Sequence, residues 1–403
     1  MMPEQDAGKS IAGRPARSCL LTINGGSSSL KFAVFDRADP PARLAAGKVE
    51  RIGGPGARLV MGEGAREVEA GDQGAAVSLV IDWLKAEGAL EAIGGVGHRV
   101  VHGGGRYCDP AEVTTAMLDD LRAFRPFDPD HLPGEVALIE AIARLDPTLP
   151  QVACFDNAFH RDLPPVAYTL PIPNRLEALG VRKYGFHGLS YQYLMDELAR
   201  IAGPEAARGR VILAHLGAGA SLAAVREGKS IDTTMGFTPA AGLVMATRSG
   251  DLDPGLVRFL ARSEGMSAEG FDRMVNRESG LLGVSGTSDD VRDLLGRRDD
   301  DPRAALAIDL FCYRVKLAIG GHAAALGGLE TLVFAGGIGE HSAEVRAGAC
   351  EGLGFLGVVL DPARNAAGAP VISAEGSRAT VRVIPTDEEA TLARATARLL
   401  NGR

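Results

Sequence analysis

From Leu20 to Asp36 the chain reads LLTINGGSSSLKFAVFD. A β-rich run ends at Asn24, a Gly-Ser turn follows, and a second run alternates through Leu30, Phe32 and Val34. Alternation on both sides of a small-residue turn predicts a hairpin. The pattern returns at Ile212–Val225, ILAHLGAGASLAAV. A gap-free shift of 192 residues matches Leu21 to Leu213, Gly25 to Gly217, Ser29 to Ser221 and Leu30 to Leu222. The remaining chain alternates apolar runs with helical segments, as in Asp301–Gly327, where Ala307, Phe311 and Val315 share one face. The order predicts an α/β protein. Its 403 residues suit two domains, each with its own core. The repeat predicts that these domains are similar, each opening with a phosphate-facing hairpin, with a cleft between them.

Composition alters this picture mainly through glycine. The 52 glycines follow no period and cluster at the ends of apolar runs, where a backbone turns tightly or approaches a ligand. The net charge of −8, with Lys and Arg scattered, excludes the basic stripe of a nucleic-acid binder and any polybasic membrane patch. The five cysteines lie far apart, which excludes a disulfide framework or a zinc site and suits a reducing compartment. No apolar run reaches the length of a membrane span. Residues 1–17 are polar, lack the apolar core of a signal peptide and read as a flexible tail. The expected location is the cytoplasm.

Three Gly-rich loops follow strand-like runs: Gly25-Gly26-Ser27, Gly217-Ala218-Gly219 and Gly336-Gly337-Ile338-Gly339. Without Cβ atoms, backbone N–H groups can converge on phosphate oxygens. Three such loops favour a polyphosphate nucleotide, although none fits the Walker or dinucleotide patterns. Arg99, in GHRVVHGGGR, and Arg248, in ATRSGDLDPG, could each grip phosphate or carboxylate with a fork of hydrogen bonds, or could be buried ion-pair partners. Arg248 is expected at the tip of a strand or helix. His187 in KYGFHGLSYQYL lies between Phe186 and Gly188, facing a space that glycine keeps open. Asp156 in FDNAFH could orient a cation. His98 and His160 read as structural. In IPTDEEATLAR, Thr386 or Asp387 caps a helix. Glu388 could supply one oxygen to Mg²⁺, and Asn24 another. The serines of the first hairpin form no strand-to-helix elbow, which excludes a Ser-His-Asp hydrolase.

Together, INGGSSSLKF, GHRVVHGG, FDNAFH, YGFHGLS, the run from Ser230 to Gly255, GVSGTSDDVRDL, FAGGIGEHS and IPTDEE resemble the acetate kinase family, from about Leu20 to about Arg394. The resemblance implies two similar actin-like ATPase (ribonuclease H-like) domains with a nucleotide cleft between them. Their expected bounds are 18–155, with 390–403 returning to that domain, and 156–389. It implies a kinase that reversibly moves the ATP γ-phosphoryl group to acetate, using ATP/ADP and Mg²⁺ or Mn²⁺. Arg99, Asp156, His187 and Arg248 match the catalytic positions, and Asn24 and Glu388 those associated with the metal. Ser27, Ser29, Lys31, His215, Gly217, Gly219, Asp290, Val291, Arg292, Gly337, Ile338, Gly339, Glu340 and His341 match the nucleotide side. Arg99, Val101, Phe127, Phe186 and Pro239 match the acyl side. A homodimer is expected by the same resemblance, with no nucleic-acid or membrane partner.

The chain departs from the family where Pro126-Phe127-Asp128-Pro129 replaces a Pro-Leu-His-Asn run, which substitutes Asp128 for an imidazole. An acid there repels phosphate unless it is paired or protonated. Ala218 replaces an asparagine, Ala240-Ala241 a Leu-Glu pair, and His341 an asparagine. Two alternatives therefore stand beside acetate: a kinase for propionate or another short acid, and a nucleotide- or phosphate-binding protein of the same fold with little catalysis. Val101 favours acetate, since valine narrows a pocket that a smaller residue would widen.

Overall fold

The computed structural model describes residues 11–26 and 28–402; the first ten residues, Ser27 and Arg403 lie outside the described set. The chain divides into two compact units, Met1–Ala158 with Asp387–Arg403, and Phe159–Thr386.

The first unit holds an eight-stranded sheet: β1 (Cys19–Gly25), β2 (Ser29–Asp36), β3 (Arg43–Glu50), β4 (Arg58–Met61), β5 (Gly64–Glu67), β6 (Ile93–Val100), β7 (Ala111–Glu112) and β8 (Gln151–Phe155), in the order β5-β4-β3-β2-β1-β6-β8-β7. β1 and β2 form the expected hairpin, and β1, β6 and β8 run parallel. Helices cover both faces, so β1 and β8 are buried throughout and β6 nearly so. Alternation sorts the side chains. Leu21, Ile23, Phe32 and Val34 join Val77, Val80, Leu84 and Leu138 in one core, while Ala33 and Phe35 meet Ala393 on the other face. Residues 11–17, expected as the end of a tail, lie against this unit: Ile11 belongs to its core and the Arg17 N–H donates to the Glu91 carbonyl.

The second unit holds β9 (Val211–Leu216), β10 (Ala220–Arg226), β11 (Lys229–Thr233), β12 (Thr331–Ala335) and β13 (Thr380–Val383), in the order β11-β10-β9-β12-β13. Its pairings, antiparallel from β11 to β9 and parallel from β9 to β13, repeat those of β3-β2-β1-β6-β8. The repeat is therefore one of topology. The gap-free match holds on the first strand of each hairpin only. Asn24 pairs with Lys31 across residues 25–30, whereas Leu216, its counterpart, pairs with Ala220 across residues 217–219. The shorter second turn puts Ser29 and Ser221 out of equivalent register. Helix Pro302–Leu326, capped by Asp301 and ended by left-handed Gly327, buries Ala307, Phe311 and Val315 as the periodicity predicts.

Gly97 on β6 lets helix Glu388–Asn401 rest on the strand: a Cβ there would lie 2.3 Å from Thr396 Oγ1. We expect Gly97→Ala to lower unfolding stability by about 1–3 kcal/mol, the usual cost of overpacking. A urea titration showing no loss would mean that the helix is free to shift.

Candidate active site

In the first unit the parallel strands end together. Ile23 pairs with His98 and Arg99 with Cys154, so Asn24, Arg99 and Asp156 emerge side by side at the carboxyl ends of β1, β6 and β8. Ligands of open α/β sheets bind outside such strand ends. Arg99 donates to Asp156 Oδ2 from Nε (3.0 Å) and Nη2 (2.6 Å), and from Nη1 to Asn24 Oδ1 (3.4 Å) and the Gly25 carbonyl (3.4 Å). The ion pair is buried, with side-chain exposures of 15% and 0%. Burial opposes the charge on Arg99, but the Asp156 and Glu388 carboxylates outweigh it and raise its pKa.

Asp387 caps helix Glu388–Asn401, as one of the two residues predicted. The helix start brings acids to this cluster: Asn24 Nδ2 donates to Glu388 Oε2 (2.8 Å) and Glu389 Oε1 (3.3 Å). Burial pushes the Glu389 carboxyl up, Lys31 opposes it and Glu388 adds to it. Crowded carboxylate oxygens beside an amide fit a magnesium-type cation, which needs only one or two protein oxygens. Among the described residues no group of three or more His, Cys, Asp or Glu side chains could hold a metal by itself. Ser29 is half-buried at the start of β2 and Lys31 exposed two residues on.

Two features of this unit escaped the sequence reading. Asp128, 3% exposed, is paired: its Oδ1 lies 2.8 Å from His131 Nδ1. An imidazole is thus still present, three residues along and held by the acid. The second is Glu135, also 3% exposed, whose two oxygens accept the Val101 N–H at 3.2 and 3.0 Å. Burial lifts its carboxyl to about 8, against the pull of Arg99. His131 and Glu135 line a small cavity with Gly25, Gly26 and Gln73. The available signal was position: Glu135 interrupts the apolar stripe of Leu132, Val136 and Ile139. Val101 is buried, and Phe127 stacks on Phe124 and tilts against His102. His98 is buried against Gln151, in line with a structural role.

In the second unit His187 stands at the start of helix Gly188–Ala202 with left-handed φ of 60°. His160 is buried beside it, lying 2.8 Å from Ser230 Oγ and donating from Nε2 to the Phe186 carbonyl (3.1 Å). His187 Nδ1 lies 2.8 Å from Ser221 Oγ, which also bonds the Tyr191 hydroxyl. The His187 ring stacks on His215 at 4.3 Å, and Ser190 Oγ lies 2.8 Å from His215 Nδ1 and 2.7 Å from Thr386 Oγ1. Gly217 and Gly219 form the turn after His215. A Cβ on Gly219 would sit 3.1 Å from His187 Nε2 and 3.6 Å from Arg248 Nη1, so both atoms border the space that the glycine keeps clear of a side chain.

Arg248 lies in an irregular segment rather than at the tip of a strand or helix. Gly242 and Gly250, both at positive φ, let that segment fold onto itself, and Arg248 Nη1 donates to the Pro239 carbonyl (3.3 Å). Phe186 is buried and Pro239 half-buried. Gly336–His341 is a short helix rather than a loop. Gly336, at φ 75°, makes the turn, and Glu340 Oε1 accepts from Gly336 N and Thr386 N. Arg346, 1% exposed, fixes this helix by donating to the Gly339 and Glu340 carbonyls. Asp290 caps the helix of Val291 and Arg292, and the Arg292 side chain holds its carboxyl below the usual range.

A profile described as the Acetokinase family matches residues 19–394. An acetate kinase of Rhodopseudomonas palustris is 46% identical over 394 residues, covering 95% of this chain and 98% of the relative. The crystal structure of Porphyromonas gingivalis acetate kinase superposes with a TM-score of 0.86 at 38% identity, covering 95% of this chain and 100% of that one. That of a propionate kinase from Francisella tularensis gives 0.89 at 35% identity, covering 94% and 99%.

Glu135 links folding to pH. Its pKa rises from the ordinary 4.5 to about 8 on folding, so its contribution is complete below 4.5 and lost as pH rises through 8. Glu135→Gln stays neutral throughout. The stability of the unsubstituted chain relative to this variant should fall by a few kcal/mol between those limits. Parallel unfolding curves at pH 5 and pH 8 with an unchanged difference would show an ionised Glu135 in the folded state.

Proposed function

The chain belongs to the acetokinase family, and on that premise we propose that it transfers the γ-phosphoryl group of ATP reversibly to acetate, giving acetyl phosphate and ADP. The observation that carries the reading is the group at the strand ends of the first unit: a buried arginine, Asp156, and an amide beside two carboxylates. An acyl carboxylate is already an anion and needs no general base. One of its oxygens attacks the γ-phosphorus in line while the bond to the β,γ-bridging oxygen breaks. The barrier lies in bringing two anions together and in the charge on the equatorial oxygens.

Arg99, oriented by Asp156, and Arg248 supply cationic hydrogen bonds to those oxygens, and His187 adds a neutral-ring donor. Asn24 and Glu388, with Glu389 behind them, would hold Mg²⁺, which when bound neutralises phosphate charge. On the nucleotide side we assign Ser27, Ser29, Lys31, the His215–Gly219 turn, Asp290–Arg292 and Gly337–His341. Val101, Phe127, Phe186 and Pro239 address the acyl methyl group. The pairing of Asp128 with His131 supports phosphoryl transfer, because the acid meets an imidazole rather than standing alone.

Propionate is the second reading, favoured by the similarity to a propionate kinase structure. The binding-protein alternative has little support, since the catalytic positions of the resemblance are filled. We also propose a homodimer. Helix Gly255–Ser263 buries none of its residues, and Phe259 on it is 62% exposed. The reading places the chain in the cytoplasm, and the absence of any disulfide among the described residues suits a reducing compartment. No described helix is long and apolar enough to cross a membrane.

ATP-dependent acyl-hydroxamate formation, compared for acetate, propionate and butyrate with and without Mg²⁺, tests the activity. Magnesium-dependent product with the highest kcat/KM for acetate is expected. Arg99→Ala and Arg248→Ala should each lower kcat by roughly 10²–10³-fold. A folded, ATP-binding protein that forms no acyl phosphate would overturn the reading. Sedimentation should show a dimer, and Phe259→Glu should weaken it.

A further inference from the structure

The second unit contains a chain of three hydrogen-bonding groups that ends on His187. Tyr191 and Ser221 are both fully buried. The Tyr191 hydroxyl bonds Ser221 Oγ, and Ser221 Oγ lies 2.8 Å from His187 Nδ1. Tyr191 sits one turn along helix Gly188–Ala202, with its N–H donating to the His187 carbonyl (3.0 Å), so ring and phenol are fixed by the same backbone. Ser221 reaches them from β10.

Proton bookkeeping along this chain gives it a direction. A serine hydroxyl carries one hydrogen and accepts through its lone pairs, and a phenol is the stronger acid of the two hydroxyls. With Tyr191 donating to Ser221, the serine hydrogen goes to His187 Nδ1. That nitrogen is then the acceptor, and the hydrogen of the neutral ring sits on Nε2.

Nε2 is the atom that faces the space beside Gly219, which it shares with Arg248 Nη1. Other groups around the ring oppose a charged imidazolium. The start of a 15-residue helix presents its positive end, and Arg248 adds a cation.

We propose that Ser221, backed by Tyr191, is a positioning residue that fixes the Nε2–H tautomer of His187, so that the ring donates a hydrogen bond without becoming cationic. That this hydrogen bond meets a transferring phosphoryl group rests on the function proposed above; the tautomer does not.

The test uses the full chain with ¹⁵N-labelled histidine, and His187 signals are identified by their loss in His187→Gln. The unsubstituted protein should show a protonated Nε2 and a bare Nδ1. Tyr191→Phe keeps the Ser221–His187 bond but removes the phenol donor, and should move population towards Nδ1–H. Ser221→Ala should mix the tautomers and lower kcat by about 10–100-fold, with the KM for acetate changed far less. A protonated Nδ1 in the unsubstituted protein overturns the proposal without any variant. Unchanged tautomer and kcat in a folded Ser221→Ala protein overturn it as well. An Nε2–H ring in a protein that forms no acyl phosphate would leave the relay standing and remove the proposed function instead.

Discussion

One buried guanidinium governs the first unit. Arg99 sits where three parallel strands end, and its fork donates to Asp156, Asn24 and a backbone carbonyl. A buried charge persists only when it is paired and hydrogen-bonded. Burial raises the Glu135 carboxyl against the pull of Arg99, and raises that of Glu389 against the pull of Lys31. Such a cluster is less settled electrostatically than an ordinary core.

The second unit solves a different problem with the same strand order. Its hairpin turn is shorter, and a stacked imidazole pair, one from β9 and one from a helix start, stands beside it. His187 and His215 are held by hydroxyls, from Ser221 and Ser190. Glycine matters most here at Gly219 and Gly336. The first leaves room before two donor side chains, and the second turns the chain where any Cβ would meet the Leu216 backbone. A topological repeat has thus been furnished with an arginine–carboxylate cluster in one copy and with hydroxyl-held imidazoles beside Arg248 in the other.

Much of this was legible in local pattern. Alternation around small-residue turns marked both hairpins, and the motifs carried the family. Arg99, Asp156, Asn24 and Glu388 were singled out separately and proved to be neighbours. Other features were not legible. The shift of 192 residues could not reveal a turn three residues shorter. Arg248 lies in an irregular segment because two glycines at positive φ allow it, and no periodicity announces that. Asp128 read as a lost imidazole because its partner, His131, lies outside the motif.

The sequence by itself determined the α/β class, the paired hairpins, the family and the residue types of the candidate site, because each is written in local periodicity or in short motifs. Tertiary structure decided which of those residues meet and how deeply they are buried. The pKa of Glu135, the supporting bonds from Ser221, Ser190 and Arg346, and the register of the repeat depend on burial and on partners distant in the chain. Desolvation and hydrogen-bond geometry arise only when such distant segments pack.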